Sequence, residues 1–118
     1  MRLSKNYAMV EQKDPKDWTR VATLDQCLPG NLFGVQVGSL KIVLANVDGT
    51  IYALEDQCSH QNLPLSDGYL EDGQVECIYH GAKFNICTGT ATSLPAIKPV
   101  ATFNVDIRGG DIYVQSVE

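Results

Sequence analysis

The chain holds a series of short apolar runs bounded by turn-forming residues, and no stretch repeats with the 3.6-residue period of an amphipathic helix. Runs at Trp18 to Ala22, Phe33 to Val37, Leu40 to Val47 and Thr50 to Leu54 read as strands. Leu24 to Gly30 reads as a turn or helical corner closed by Pro29-Gly30. Gly38-Ser39 suits a two-residue hairpin turn with glycine first, and Asp48-Gly49 suits a turn in which glycine takes a positive φ. These turns predict a three-strand meander. Near the C-terminus, Ala101 to Ile107, a Gly109-Gly110 turn and Ile112 to Gln115 predict another hairpin.

The middle of the chain, 55–97, differs. Turn formers crowd it, among them Asn62, Pro64, Asp67, Gly68, Gly81, Gly89 and Pro95. One further hairpin is predicted there, from Tyr69 to Cys77 around Asp72-Gly73. The predicted fold is therefore all-β: an antiparallel β-sandwich or small barrel with a loop-rich subdomain over 55–97. At 118 residues the chain is the size of one domain, expected over 16–118 behind a polar N-terminal arm at 1–15.

Composition narrows the functional classes. With 44% hydrophobic and 19% charged residues, the chain is neither disordered nor fibrous in character. No apolar run approaches the roughly 20 residues that span a bilayer, and the N-terminal residues show no secretory pattern. A cytoplasmic protein without a membrane partner is expected. The formal charge of −5, with no basic stripe, argues against nucleic acid and is compatible with a basic patch on another protein. In a reducing compartment the four cysteines are not expected to form structural disulfides. Cysteines set beside histidines then read as metal ligands.

That setting is met twice. Cys58-Ser59-His60 and Cys77-Ile78-Tyr79-His80 each place a cysteine just ahead of a histidine, and these are the only two histidines in the chain. Two metals suit such donors. Zinc takes two Cys and two His, but its structural sites usually pair Cys with Cys and His with His. A [2Fe–2S] cluster with both cysteines on one iron and both histidines on the other needs two facing loops, each giving one ligand to each iron. The alternating order favours the cluster, and a structural zinc module is the remote alternative.

Cys58-Ser59-His60, Pro64-Leu65-Ser66, Gly68, Cys77, His80-Gly81, Phe84, Thr88-Gly89 and Leu94-Pro95-Ala96 together resemble the Rieske pattern. The similarity covers most of the chain and is nearest to the short ferredoxins of bacterial ring-hydroxylating dioxygenases. It implies one Rieske [2Fe–2S] cluster with Cys58, His60, Cys77 and His80 as ligands. It also implies a one-electron carrier between a flavin-dependent or similar reductase and a terminal oxygenase. A small subunit of a nitrite reductase is the alternative. Ile78 departs from the pattern, since many members have proline there.

The high-potential branch of that family adds a loop disulfide and a serine after the His-Gly pair. Here Gln61-Asn62-Leu63 and Ile78-Tyr79 contain no cysteine, and the serine position is Ala82. Fewer donors to the reduced cluster imply a potential at the low end, about −150 mV. The family's oxygenases carry an additional iron on two histidines and a carboxylate. With both histidines committed and no G-x-G-x-x-G fingerprint, the chain is expected to move electrons without transforming a substrate.

The remaining residues receive plainer expectations. Cys27 and Cys87 read as packing or turn residues, with a disulfide between them left open. Phe84 is expected to anchor its loop to the core. Lys83 reads as a solvated side chain, and Asp56, Asp67, Glu71, Asp72 and Glu76 read as solvated turn residues or as charges that steer a partner.

Overall fold

The computed structural model describes residues 18–58, 63–78, 81–94 and 98–115. The expected N-terminal arm lies outside these residues. The strands are β1 (Trp18–Thr23), β2 (Leu32–Val37), β3 (Leu40–Val47), β4 (Thr50–Glu55), β5 (Tyr69–Glu71), β6 (Gln74–Glu76), β7 (Lys83–Asn85), β8 (Ala91–Ser93), β9 (Thr102–Phe103), β10 (Val105–Arg108) and β11 (Asp111–Gln115). Single 3₁₀ turns occur at Leu24–Gln26 and Leu65–Asp67. The all-β reading holds.

Three antiparallel sheets form, in the orders β9-β4-β3-β2, β10-β11-β1 and β5-β6-β7-β8. The expected turns are realised in the backbone. Asp48 and Gly49 both take positive φ, as do Asp72-Gly73 and Gly109-Gly110, which is the twist that two-residue hairpins need. Val37 pairs directly with Leu40, so Gly38-Ser39 is the whole of its loop.

β3 explains how three sheets share one interior. Ile42, Val43, Leu44 and Ala45 are all buried. Successive side chains of a strand point to opposite faces, so a continuous apolar run marks a strand covered on both sides. Ile42 and Leu44 join Ala22, Ile51, Ala53, Ile112 and Val114 in a core between the central sheet and β10-β11-β1. Val43 and Ala45 join Leu54, Leu65, Val75, Phe84, Ile86 and Val100 in a second core under the third sheet. Phe84, with no exposed surface, is the largest side chain of that core and anchors its sheet as expected.

Two expectations need correction. Ala101 to Ile107 is not one strand: Thr102–Phe103 pairs with β4, whereas Val105–Arg108 pairs with β11. The chain changes sheets at Asn104, whose amide donates to the Gln115 Oε1 (2.8 Å) while its carbonyl accepts from the Gln115 N–H (3.0 Å). The middle segment is also more regular than its loop-rich sequence suggests, because β7 and β8 extend the predicted hairpin to four strands. The β7–β8 turn is held by the Asn85 side chain, whose Oδ1 accepts from the Cys87 and Thr88 N–H groups (2.8 and 3.0 Å). It closes on Gly89, where a Cβ would lie 2.1 Å from the Val100 carbonyl oxygen.

Candidate metal centre

Cys58 follows β4, and Cys77 follows β6. Both thiols are buried, in the core under the third sheet, and neither is in a disulfide. Their backbones are fixed in the same way. The Cys58 N–H donates to the carbonyl of Leu63, and the Cys77 N–H to the carbonyl of Ala82, each at 2.8 Å. Each bond closes a loop that reaches five residues beyond its cysteine. Position 60 falls within the first loop's sequence and position 80 within the second's. His60 and His80 themselves lie outside the described residues, as do Pro95 and Ala96.

The second loop has a further contact. The Gly81 N–H donates to the Cys77 carbonyl (2.9 Å), and Gly81 has φ +77°, a conformation that favours glycine. Ala82 then returns to the core with no exposed surface. Ile78, beside Cys77, is an exposed large apolar residue. Among the described residues no three His, Cys, Asp or Glu side chains converge as a metal site.

The other cysteines lie elsewhere. Cys27 is buried in the core beneath β10-β11-β1, where burial pushes its thiol up and keeps it protonated. Cys87 is exposed in the β7–β8 turn rather than packed. Both are free, so the disulfide left open by the sequence does not form. Tyr52 has its phenol raised above the ordinary value, first by a hydrogen bond with Cys87, then by the electrostatic effect of that residue and by burial.

The Rieske [2Fe-2S] domain family matches residues 17–104. The chain belongs to this family. A biphenyl 2,3-dioxygenase ferredoxin component from Rhodococcus jostii is 42% identical over 96 residues, 81% of this chain and 90% of that protein. A 3-phenylpropionate/cinnamic acid dioxygenase ferredoxin subunit from Escherichia coli K12 is 49% identical over 78 residues, 65% of this chain and 74% of that one. Among solved structures, the ferredoxin fold recurs in a complex of reduced oxygenase and oxidised ferredoxin of carbazole 1,9a-dioxygenase. That match has a TM-score of 0.79 and 34% identity, over 86% of this chain and 94% of that one. The Rieske cofactor is one [2Fe–2S] cluster, and two buried, identically braced thiols in one core fit the sulfur half of its donor set. This Rieske chain is an electron-transfer component, as its relatives' names describe them, and not an enzyme acting alone.

Sequence reading missed Asp56 and undervalued Ser66. Asp56 is not a solvated turn residue. It is 8% exposed, and its carboxylate accepts from both the Ser66 N–H and the Ser66 hydroxyl, each at 2.7 Å. The available signal was its place two residues before Cys58 and ten residues ahead of Ser66 in the Pro64-Leu65-Ser66 segment.

Proposed function

We propose that this protein passes single electrons from a flavin-dependent or similar reductase to a terminal aromatic ring-hydroxylating oxygenase. Cys58 and Cys77 would hold one iron of the cluster, and His60 and His80 the other. The observation that carries this reading is the matched bracing of the two cysteine loops, each containing one histidine in its sequence. The relatives' names supply the oxygenase context, and the solved ferredoxin–oxygenase complex shows that such a pair can associate. The Rieske domain is assigned to 16–118, with its cluster-binding part over 55–97. Among the described residues no helix is long and apolar enough to cross a membrane. A cytoplasmic location is part of the proposal.

When bound, the cluster supplies a reversible one-electron centre, more easily reduced than an all-cysteine cluster because neutral imidazoles replace two thiolates. The chain's own residues shape that centre. Burial of Cys58 and Cys77 keeps water from the sulfur side. Ile78, beside Cys77, offers a small exposed apolar contact, suited to the limited, quickly reversed interfaces of redox partners. Rapid mixing of reduced protein with an oxidised biphenyl-type oxygenase tests the role. Reoxidation by one electron per chain is expected. Failure to reduce that oxygenase, together with turnover of a nitrite reductase, would contradict it.

Ala82 gives a separate prediction. It occupies the position of a donor serine and is fully buried. A hydroxyl there favours the extra negative charge of the reduced state. Ala82→Ser is therefore expected to raise the midpoint potential by roughly tens of millivolts from a starting value of about −150 mV. A potentiometric titration that found the variant unchanged or lower would remove Ala82 as a cause of low potential.

A further inference from the structure

We infer that Asp56 and Ser66 form a clasp that positions the two ligand loops relative to each other. Asp56 lies two residues before Cys58, and its own N–H donates to the Lys41 carbonyl of β3 (2.9 Å). It is thus tied to the central sheet at its backbone. Its carboxylate then takes both donors of Ser66, the N–H on Oδ1 and the hydroxyl on Oδ2. Both bonds are 2.7 Å, so each carboxyl oxygen is engaged by a different donor of the same residue.

Ser66 belongs to the 3₁₀ turn Leu65–Asp67, which ends on Gly68 with a bond from the Gly68 N–H to the Leu65 carbonyl (2.9 Å). Gly68 packs directly on the backbone of Glu76, the residue before Cys77: a Cβ at Gly68 would lie 1.9 Å from the Glu76 carbonyl oxygen. The chain of contacts therefore runs from the base of the Cys58 loop, through Asp56, Ser66 and Gly68, to the base of the Cys77 loop. Leu65, fully buried, pins the same turn into the core shared by both cysteines.

β2 covers the clasp. A Cβ at Gly34 would fall 3.0 Å from the Ser66 Oγ and 3.1 Å from the Asp56 Oδ2. Glycine there lets the strand backbone lie close over both oxygens, which limits competing water. A buried carboxylate whose oxygens are both engaged holds its partner in one geometry. Asp56 and Ser66 are positioning residues in this arrangement: they need not touch the cluster, but they set where its two sulfur ligands stand.

This inference rests on the ligand assignment proposed above. It is tested on the cluster-loaded full chain with Asp56→Ala, Asp56→Asn and Ser66→Ala. Loss of the clasp should speed transfer of iron to a ferrous chelator by roughly tenfold or more in Asp56→Ala, since breaking such buried charged hydrogen bonds leaves the Ser66 groups unmet. Asp56→Asn, which keeps an acceptor for the Ser66 N–H, should fall between Asp56→Ala and the parent. The reduced-state EPR spectrum of the Asp56→Ala protein that still holds a cluster should shift or broaden, which a general loss of stability would not cause. Parent-like chelation rates and an unchanged spectrum in all three variants would overturn the clasp. A parent spectrum of all-cysteine type would instead overturn the ligand assignment, leaving the comparison between parent and variants as a separate result.

Discussion

Replacing His80 with alanine is expected to leave the protein almost without iron. The chain has only two histidines, so no other imidazole can take the vacant position. Its spare cysteines cannot substitute either. Cys27 is buried in the opposite core, and Cys87 sits in the exposed β7–β8 turn. His60→Ala should behave in the same way, because the proposed ligation gives the two histidines equal roles. His80→Cys separates ligation from structure. A thiolate can hold the iron, but it adds a negative charge that an imidazole does not. That variant should regain a cluster, with its midpoint moved down toward the range near −400 mV typical of all-cysteine ferredoxins. Iron content and visible absorption measure the first effect, and a reductive titration the second. Full iron loading in His80→Ala would show that the histidine is not a ligand.

Gly68→Ala should cause a large loss for the addition of a single methyl group. The new Cβ would sit 1.9 Å from the Glu76 carbonyl oxygen, a backbone atom that cannot rotate away. Either the Leu65–Asp67 turn or the strand leading to Cys77 must move. Overpacking in a tight interior costs about 1–3 kcal/mol, and a backbone clash lies at the upper end of that range. Leu65 shares a core with Cys58 and Cys77, and Glu76 directly precedes Cys77, so under the proposed ligation stability and cluster retention should fall together. The denaturation midpoint and the iron-to-protein ratio of the same preparation report both. By contrast, Gly73→Ala meets open space, so its cost is only the strain of a positive φ, about 1 kcal/mol or a little more. Equal behaviour of the two variants would mean that the Gly68 contact does not constrain the loops.

The plain strands were readable because pattern and turn chemistry agree. β3 announces itself by an apolar run buried on both faces, and Asp48-Gly49, Asp72-Gly73 and Gly109-Gly110 each place their hairpins correctly. What escaped has physical causes. β7 and β8 are three residues each, too short to show alternation, and depend on cross-strand pairing of Phe84 with Ala91. The break at Asn104 interrupts a sequence that is strand-like on both sides, and it follows from which sheet each half meets. Asp56 looked like one of several surface acids because its partner is ten residues away and its cover, Gly34, is on another strand. The four positions proposed as ligands stand out in the sequence for the opposite reason: donor chemistry is carried by residue type and spacing, which the sequence displays directly.

The most direct test of the proposed ligation is pulsed EPR on dithionite-reduced protein labelled with ¹⁵N only in histidine. Because the chain has only two histidines, any strong ¹⁵N coupling to the cluster must come from His60 or His80. Two inequivalent strongly coupled ¹⁵N nuclei are expected, together with a lower average g than an all-cysteine cluster gives. A reduced spectrum with no histidine ¹⁵N coupling, or colourless protein that contains zinc instead of iron, would contradict it.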